Sequence, residues 1–192
     1  MNRLEIFKTE LSYIKNPKIK EFTEKALNSL PEYFFSIPAS STGKYHPSYA
    51  LGDGGLVRHT QAAVRIAVEM FRLEVFKYTE DDKDVIISSL ILHDGCKSGL
   101  NHSKYSVTEH PLIITKMLKS DKKISKSIDQ NTLNNITSNI ESHMGQFNLD
   151  YKTKKEVLPK PKNKIQHFVH WCDYLASRKC LEFNFDVNVV RE

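Results

Sequence analysis

The pair His93-Asp94 closes an apolar run, Val85–Leu92, and Gly95 follows it. Burying an ionisable pair at the end of such a segment is costly unless something compensates. A metal ion is a natural compensator, and His59, His110, His143 and Asp173 could complete its shell. Imidazole and carboxylate together make a mixed nitrogen and oxygen donor set, which suits Mn, Fe, Ni, Zn or Mg. The chemistry such a centre serves is hydrolysis: a bound ion acidifies water and directs it at phosphorus or a carbonyl carbon. Cys96, Cys172 and Cys180 form no C-x-x-C pair, which argues against a structural zinc site and for reduced thiols.

These side chains must be positioned by helices, because nearly every segment has helical periodicity. Leu4, Phe7, Leu11 and Ile14 form one stripe. Asn16-Pro17 reads as an N-cap and first helical residue, ahead of a face made by Ile19, Phe22, Ala26, Leu27 and Leu30. From Ser36 to Gly55 prolines and glycines break the pattern, and a loop this long is more often functional than idle. Leu56 to Leu73 is then a central helix opened by His59, with Arg58, Arg65 and Arg72 as a polar seam and Glu69 four residues beyond Arg65.

Asp84 to Asp94 is a second buried helix. Adjacent residues on a helix point about 100° apart, so His93 and Asp94 can share one ion only where the backbone departs from the helix. Gly95 is expected to supply that departure by taking the left-handed conformation. His110 stands before Pro111 at the entrance of a third helix running to Leu118. The lysine-rich stretch from Ser120 to Asn131 reads as an exposed connection. Leu133, Ile136, Ile140 and His143 share a helical face, Asp150 to Asn163 is loop, and Asn163 to Lys179 is the last strong helix, carrying Asp173. Beyond it, apolar residues from Leu181 to Val189 alternate with polar ones, which predicts an extended tail that packs on the helices or pairs with another copy.

The expectation is one all-α domain over residues 1–192: N-terminal helices over 1–35, a metal-binding core over 40–180 and the extended tail over 181–192. A hydrophobic share of 40% and a charged share of 27% fit a soluble globular chain. No apolar run approaches the roughly 20 residues of a membrane span, and the charged N-terminal segment lacks a signal-peptide core, so a cytoplasmic location is expected. The net charge of +5 admits polyanionic partners, nucleotide or nucleic acid.

The ordered set His59, His93-Asp94, Asp173 resembles the HD-domain superfamily of metal-dependent phosphohydrolases over most of the chain. Gly54–Thr60 is similar to its first-histidine motif, and Leu92–Lys97 to its doublet motif. Glu109-His110-Pro111 is similar to the histidine–proline helix start of two-metal branches, and Ser142–Gly145 to a signature of the bacterial 3′-to-5′ exoribonuclease branch. The resemblance implies a helical bundle of five or more helices and a first metal on His59, His93, Asp94 and Asp173. It also implies a second ion bridged by Asp94, with His110 and His143 as ligands. Met144 stands where a third histidine is expected, and a thioether is a poor ligand for a hard ion. That site is then incomplete, filled by water or substrate, or completed by another residue such as His46.

The leading expectation is hydrolysis of a phosphomonoester or phosphodiester in a nucleotide or related small molecule. Asp94 and Lys97 take the catalytic roles, Lys97 stabilising charge on the phosphoryl oxygens. Lys44, His46 and Arg178 are candidate substrate contacts, and Tyr45 and Trp171 candidate platforms for a base. Two alternatives stand beside it: an exonuclease acting on RNA or DNA ends, and an inactive, metal-stabilised binding module.

Overall fold

A computed structural model describes residues 2–40 and 42–181, so the expected tail past Leu181, and any pairing of copies through it, lies outside the described residues. The fold is all-α. In chain order the helices are α1 (Arg3–Ile6), α2 (Lys8–Ser12), α3 (Pro17–Ser29), α4 (Gly55–Met70), α5 (Glu80–Leu92), α6 (His110–Ser120), α7 (Lys122–Ser125), α8 (Gln130–Ser142) and α9 (Lys164–Ala176). The described residues form no strand, only an isolated bridge between Leu149 and Glu156. None of the described helices is long and apolar enough to cross a membrane.

At the centre lies α5, packed against α3, α4, α8 and α9. Past its exposed first turn, residues Asp84 to Leu92 are all buried, as the apolar part of a central helix must be. Full burial of Ile86, Leu90, Ile91 and Leu92 contributes about 1.5–3 kcal/mol for each side chain. The hydroxyls it buries are satisfied: Ser88 meets Thr23 at 2.7 Å, and Ser89 donates to the Val85 carbonyl and accepts from Asn139. The helix begins a turn earlier than its apolar run, at a capping box between Thr79 and Asp82. Asp84, expected at its start, instead sits buried and accepts from the backbone N–H groups of Lys15 and Asn16.

Asn16 caps α3 through its side chain, with Pro17 in the first turn, as the sequence predicts. The first stripe breaks into α1 and α2 at Phe7, yet Phe7, Leu11 and Ile14 remain in the core. The arginine seam of α4 is divided among three tasks. Arg58 donates to the carbonyls of Tyr49 and Leu51, Arg65 pairs with buried Glu10 at 3.5 Å, and Arg72 pairs with Glu69 at 3.6 Å. The lysine-rich connection is interrupted by α7, whose Ile124 is buried.

The loop before α4 folds back tightly. Ala39 donates to the Ala50 carbonyl and Leu56 to that of Ile37. Gly55 lies so near the Ala50 carbonyl that any Cβ would collide with it. This closure fixes where α4 starts, and therefore where His59 points.

Candidate metal centre

Four helices and the turn after α5 bring six side chains together. His59 lies one turn into α4, His93 caps α5, Asp94 follows it, His110 opens α6, His143 caps α8 and Asp173 lies near the end of α9. All are buried except Asp173, whose side chain is 17% exposed. His59 Nε2 is 3.0 Å from Asp173 Oδ1 and 3.7 Å from Asp94 Oδ2. His93 Nε2 is 3.4 Å from Asp173 Oδ1 and 3.5 Å from Asp94 Oδ2. On the other side of the same carboxylate, Asp94 Oδ1 is 2.9 Å from His110 Nε2 and 3.8 Å from His143 Nε2.

Bonds of about 2.0–2.2 Å from an ion to nitrogen or oxygen set neighbouring ligand atoms roughly 3–3.6 Å apart, depending on whether the shell is octahedral or tetrahedral. The separations, 2.9–3.8 Å, lie close to that range on both sides of Asp94. Three overlapping groups, His59/His93/Asp94, His93/His143/Asp173 and Asp94/His110/His143, each have ligand atoms within 4.8 Å of one another and could hold a metal ion.

The tautomers point the same way. The Nδ1–H groups of His93, His110 and His143 donate to the carbonyls of Leu90, Val107 and Ile140, at 2.6, 2.7 and 2.7 Å. Each Nε2 is thereby turned inward, free to offer a lone pair to a metal ion once any proton on it has left, as the nitrogen of a metal-ligating histidine must be. His93 Nε2, His110 Nε2 and Asp94 Oδ1 are buried without a hydrogen-bond partner. Without a proton or a metal ion between them, His110 Nε2 and Asp94 Oδ1 are two acceptors in contact. The donor set fits a divalent cation.

The electrostatics agree. Burial would lower the pKa of His93, but the Asp94 and Asp173 carboxylates outweigh it and raise it to about 10. Burial would raise Asp94, yet the Lys97 ammonium and the His93 and His110 imidazoles hold it well below the usual carboxylate range. His143 is pushed down to about 3 by burial and the neighbouring His93 charge. The two carboxylates, Asp94 and Asp173, are thus balanced by the Lys97 ammonium and a proton on His93.

Gly95 does not do what was expected. It is absent from the glycines with positive φ, and His93 keeps helical dihedrals. The helix instead tightens into a run of turns, with Gly95 N–H donating to Leu92, Lys97 to Asp94 and Gly99 to Cys96. Glycine at 95 leaves room for its neighbours: a Cβ there would come within 2.4 Å of Ile114 Cδ1 and 2.6 Å of Leu30 Cδ2, and both methyls would have to shift.

Lys97 Nζ donates to Asp94 Oδ2. Its turn is braced by Tyr33, which accepts from Ser98 N–H and donates to the Gly99 carbonyl at 2.6 Å. Beside the cluster, a cavity of about 330 Å³ is lined by His46, Lys97, Asp173 and Arg178. The Arg178 guanidinium lies 4.2 Å from the Tyr174 ring centroid, and the Phe147 and Tyr174 rings stack at 6.3 Å. His46 packs edge-on to His59 at 5.4 Å and shares the lining of this cavity with Met144 and Asp173. Two residues stand apart. Lys44 is exposed, with its ammonium over Tyr45, and does not line this cavity. Trp171 lies on another face of α9 and offers no platform here.

His170 was not singled out in the sequence, although it precedes Asp173 by three residues on one helical face. Its Nδ1–H donates to the His143 carbonyl at 2.7 Å, and its Nε2 lies 3.0 Å from the Gln146 amide. Gly145, at φ +56, passes directly over the His170 ring, where a Cβ would not fit. His170 thus fixes the turn that presents His143 and Met144. No family model, curated protein or solved structure matches this chain, which leaves the buried histidine–aspartate cluster as the feature from which function is to be read.

Proposed function

We propose that the chain is a metal-dependent phosphohydrolase of the HD-domain type its motifs resemble, cleaving a phosphoester in a nucleotide or related small molecule. One observation carries the reading: four imidazole Nε2 atoms and both oxygens of Asp94 converge in a buried cluster. A divalent ion on His59, His93, Asp94 and Asp173, drawn from Mn, Fe, Ni, Zn or Mg, supplies an acidified water and positive charge for the phosphoryl oxygens.

The chain's own residues supply the rest. Asp94 turns an oxygen to each group of histidines and orients them. Lys97, held at Asp94 Oδ2 and exposed to the cavity, meets phosphoryl charge as it develops. Arg178 adds a second cation on the cavity wall, and the stacked Phe147 and Tyr174 offer an apolar wall to a base. A cavity of about 330 Å³ suits a small ligand.

Elemental analysis of purified protein should find a tightly held transition ion. With Mn added, one member of a panel of mononucleotides, cyclic nucleotides and labelled oligonucleotides should be hydrolysed. A stable, metal-free protein that is inert across the panel overturns the reading, and cleavage of oligonucleotides alone moves the substrate to nucleic-acid ends.

A further inference from the structure

Helix α9 has two working faces. His170, Asp173, Tyr174 and Ser177 line the cavity at the metal cluster. Lys164, His167 and Trp171, spaced three and four apart, line a different cavity of about 470 Å³. Two residues turn a helix by about 200°, so Trp171 and Asp173 point to nearly opposite sides. The larger cavity therefore belongs to neither the cluster nor its chemistry.

Its walls are aromatic and its rim is cationic. Phe76 and Tyr78 face Trp171 across the end of α9, and both rings rest edge-on against buried Phe168, at 5.0 and 5.1 Å. Trp171, the single tryptophan of the chain, is 44% exposed and lines this ligand-sized space. Lys77, Lys162 and Lys164 line the same cavity, and no acidic residue does. Among the described residues no ion pair engages these three lysines. The positive end of the α9 dipole opens here too, beside its N-cap Asn163.

A neutral apolar ligand would leave the three lysines of this lining, one of them with its ammonium 5.2 Å over the Tyr78 ring, without an anion. A bare inorganic anion would leave the indole wall in water. A planar ring joined to a phosphate answers both demands, by stacking and by charge-assisted hydrogen bonding. A volume of about 470 Å³ lies in the range of small-ligand sites. We propose that this cavity is a second binding site, separate from the metal cluster, for a nucleoside monophosphate, with the base against Trp171 and the phosphate among Lys77, Lys162 and Lys164.

Because Trp171 is the only indole, its fluorescence reports this cavity directly. Adenosine monophosphate, titrated with excitation at the red edge of the indole band where the base does not absorb, should give a saturable change. Adenosine and inorganic phosphate should each bind about tenfold more weakly or less. The Lys162→Gln/Lys164→Gln double variant, altered only at exposed side chains, should lose about tenfold in affinity. Chelation of metal, and Asp94→Asn, should leave the titration unchanged. The proposal is overturned by a flat titration, by equal binding to the double variant, by adenosine binding as well as its monophosphate, by loss of the signal on chelation or in Asp94→Asn, or by a response to an oligonucleotide alone.

Discussion

Asp94 turns its two oxygens toward unequal company. Oδ2 faces His59 and His93, with the Asp173 carboxylate 3.0 and 3.4 Å from their Nε2 atoms. Oδ1 faces His110 at 2.9 Å and His143 at 3.8 Å, and Asp173 reaches only the edge of this side, its carboxylate oxygen within 4.8 Å of His143. An ion on the first side would have two imidazoles and two carboxylates to hold it; one on the second would have two imidazoles and the shared carboxylate, with Asp173 farther off. Anionic ligands do most to offset the charge of a buried divalent ion, so the first side should hold its metal more tightly. The difference teaches that a cluster of six side chains is not two equal sites, and that Asp94 is the hub on which both depend.

Removing the hub is the largest test. Asp94→Ala should cost metal on both sides and lower turnover by on the order of 10³-fold or more. It also leaves His93 without one of the two carboxylates that raise its pKa. Metal content, activity and circular dichroism together separate loss of the site from loss of the fold. Turnover within tenfold of the parent would break the idea that the two sides share a hub.

A change confined to one side comes next. His170 touches neither group of ligands through its ring, but its Nδ1–H holds the His143 carbonyl. His170→Ala should therefore weaken an ion on the Oδ1 side by about 10–100-fold and leave the Oδ2 side nearly unchanged. Calorimetric titration of metal into chelated protein reads both affinities. Equal losses on both sides would show that His170 supports the cluster as a whole.

The two sides should also differ in pH dependence. With His93 raised to about 10, the metal-free protein carries its proton at pH 7, and an ion must displace it to reach Nε2. Affinity on the Oδ2 side should then rise with pH, by up to about tenfold per unit below pH 10 for the one proton from His93. His143, held at about 3, is already neutral and gives up no proton to an ion on the Oδ1 side. Titrations in buffers of different ionisation enthalpy count the protons released. A first ion that released none at pH 7 would contradict the charged His93.

Much of the centre was legible because periodicity and polarity coincide there. His143 ends the buried stripe of Leu133, Ile136 and Ile140, and His93-Asp94 closes a run buried on every side, so each had to point inward. What periodicity cannot carry is partnership across the fold. Gly95 reads as a left-handed glycine, and only the packing reveals that it instead leaves space for the Ile114 and Leu30 methyls. Arg65 looked like half of an i,i+4 pair with Glu69, while its partner Glu10 lies 55 residues away, beyond any local pattern. Trp171 sat in the most aromatic stretch of its helix, but a base platform at Asp173 needed the opposite face. His170 carried its signal in plain spacing, three before Asp173, and its importance lies in a backbone contact that side-chain patterns do not encode.

The smallest effect, and the one that sharpens the comparison most, is at Met144. It lines a cavity with His46, Lys97 and His110, so its thioether stands at the mouth of the Oδ1 side. A thioether adds little to the hold on a hard ion, whereas an imidazole there would bring the Oδ1 side to three nitrogens and a carboxylate oxygen. The turn that carries Met144 is fixed by His170 and Gly145, so a new side chain inherits the same direction. Met144→His should therefore raise affinity for the weaker ion by a few-fold to about tenfold and leave the tighter one unchanged. Unchanged affinity on both sides would mean that the Oδ1 side is not limited by ligand number, and that the inequality between the two oxygens of Asp94 comes from the carboxylate of Asp173 alone.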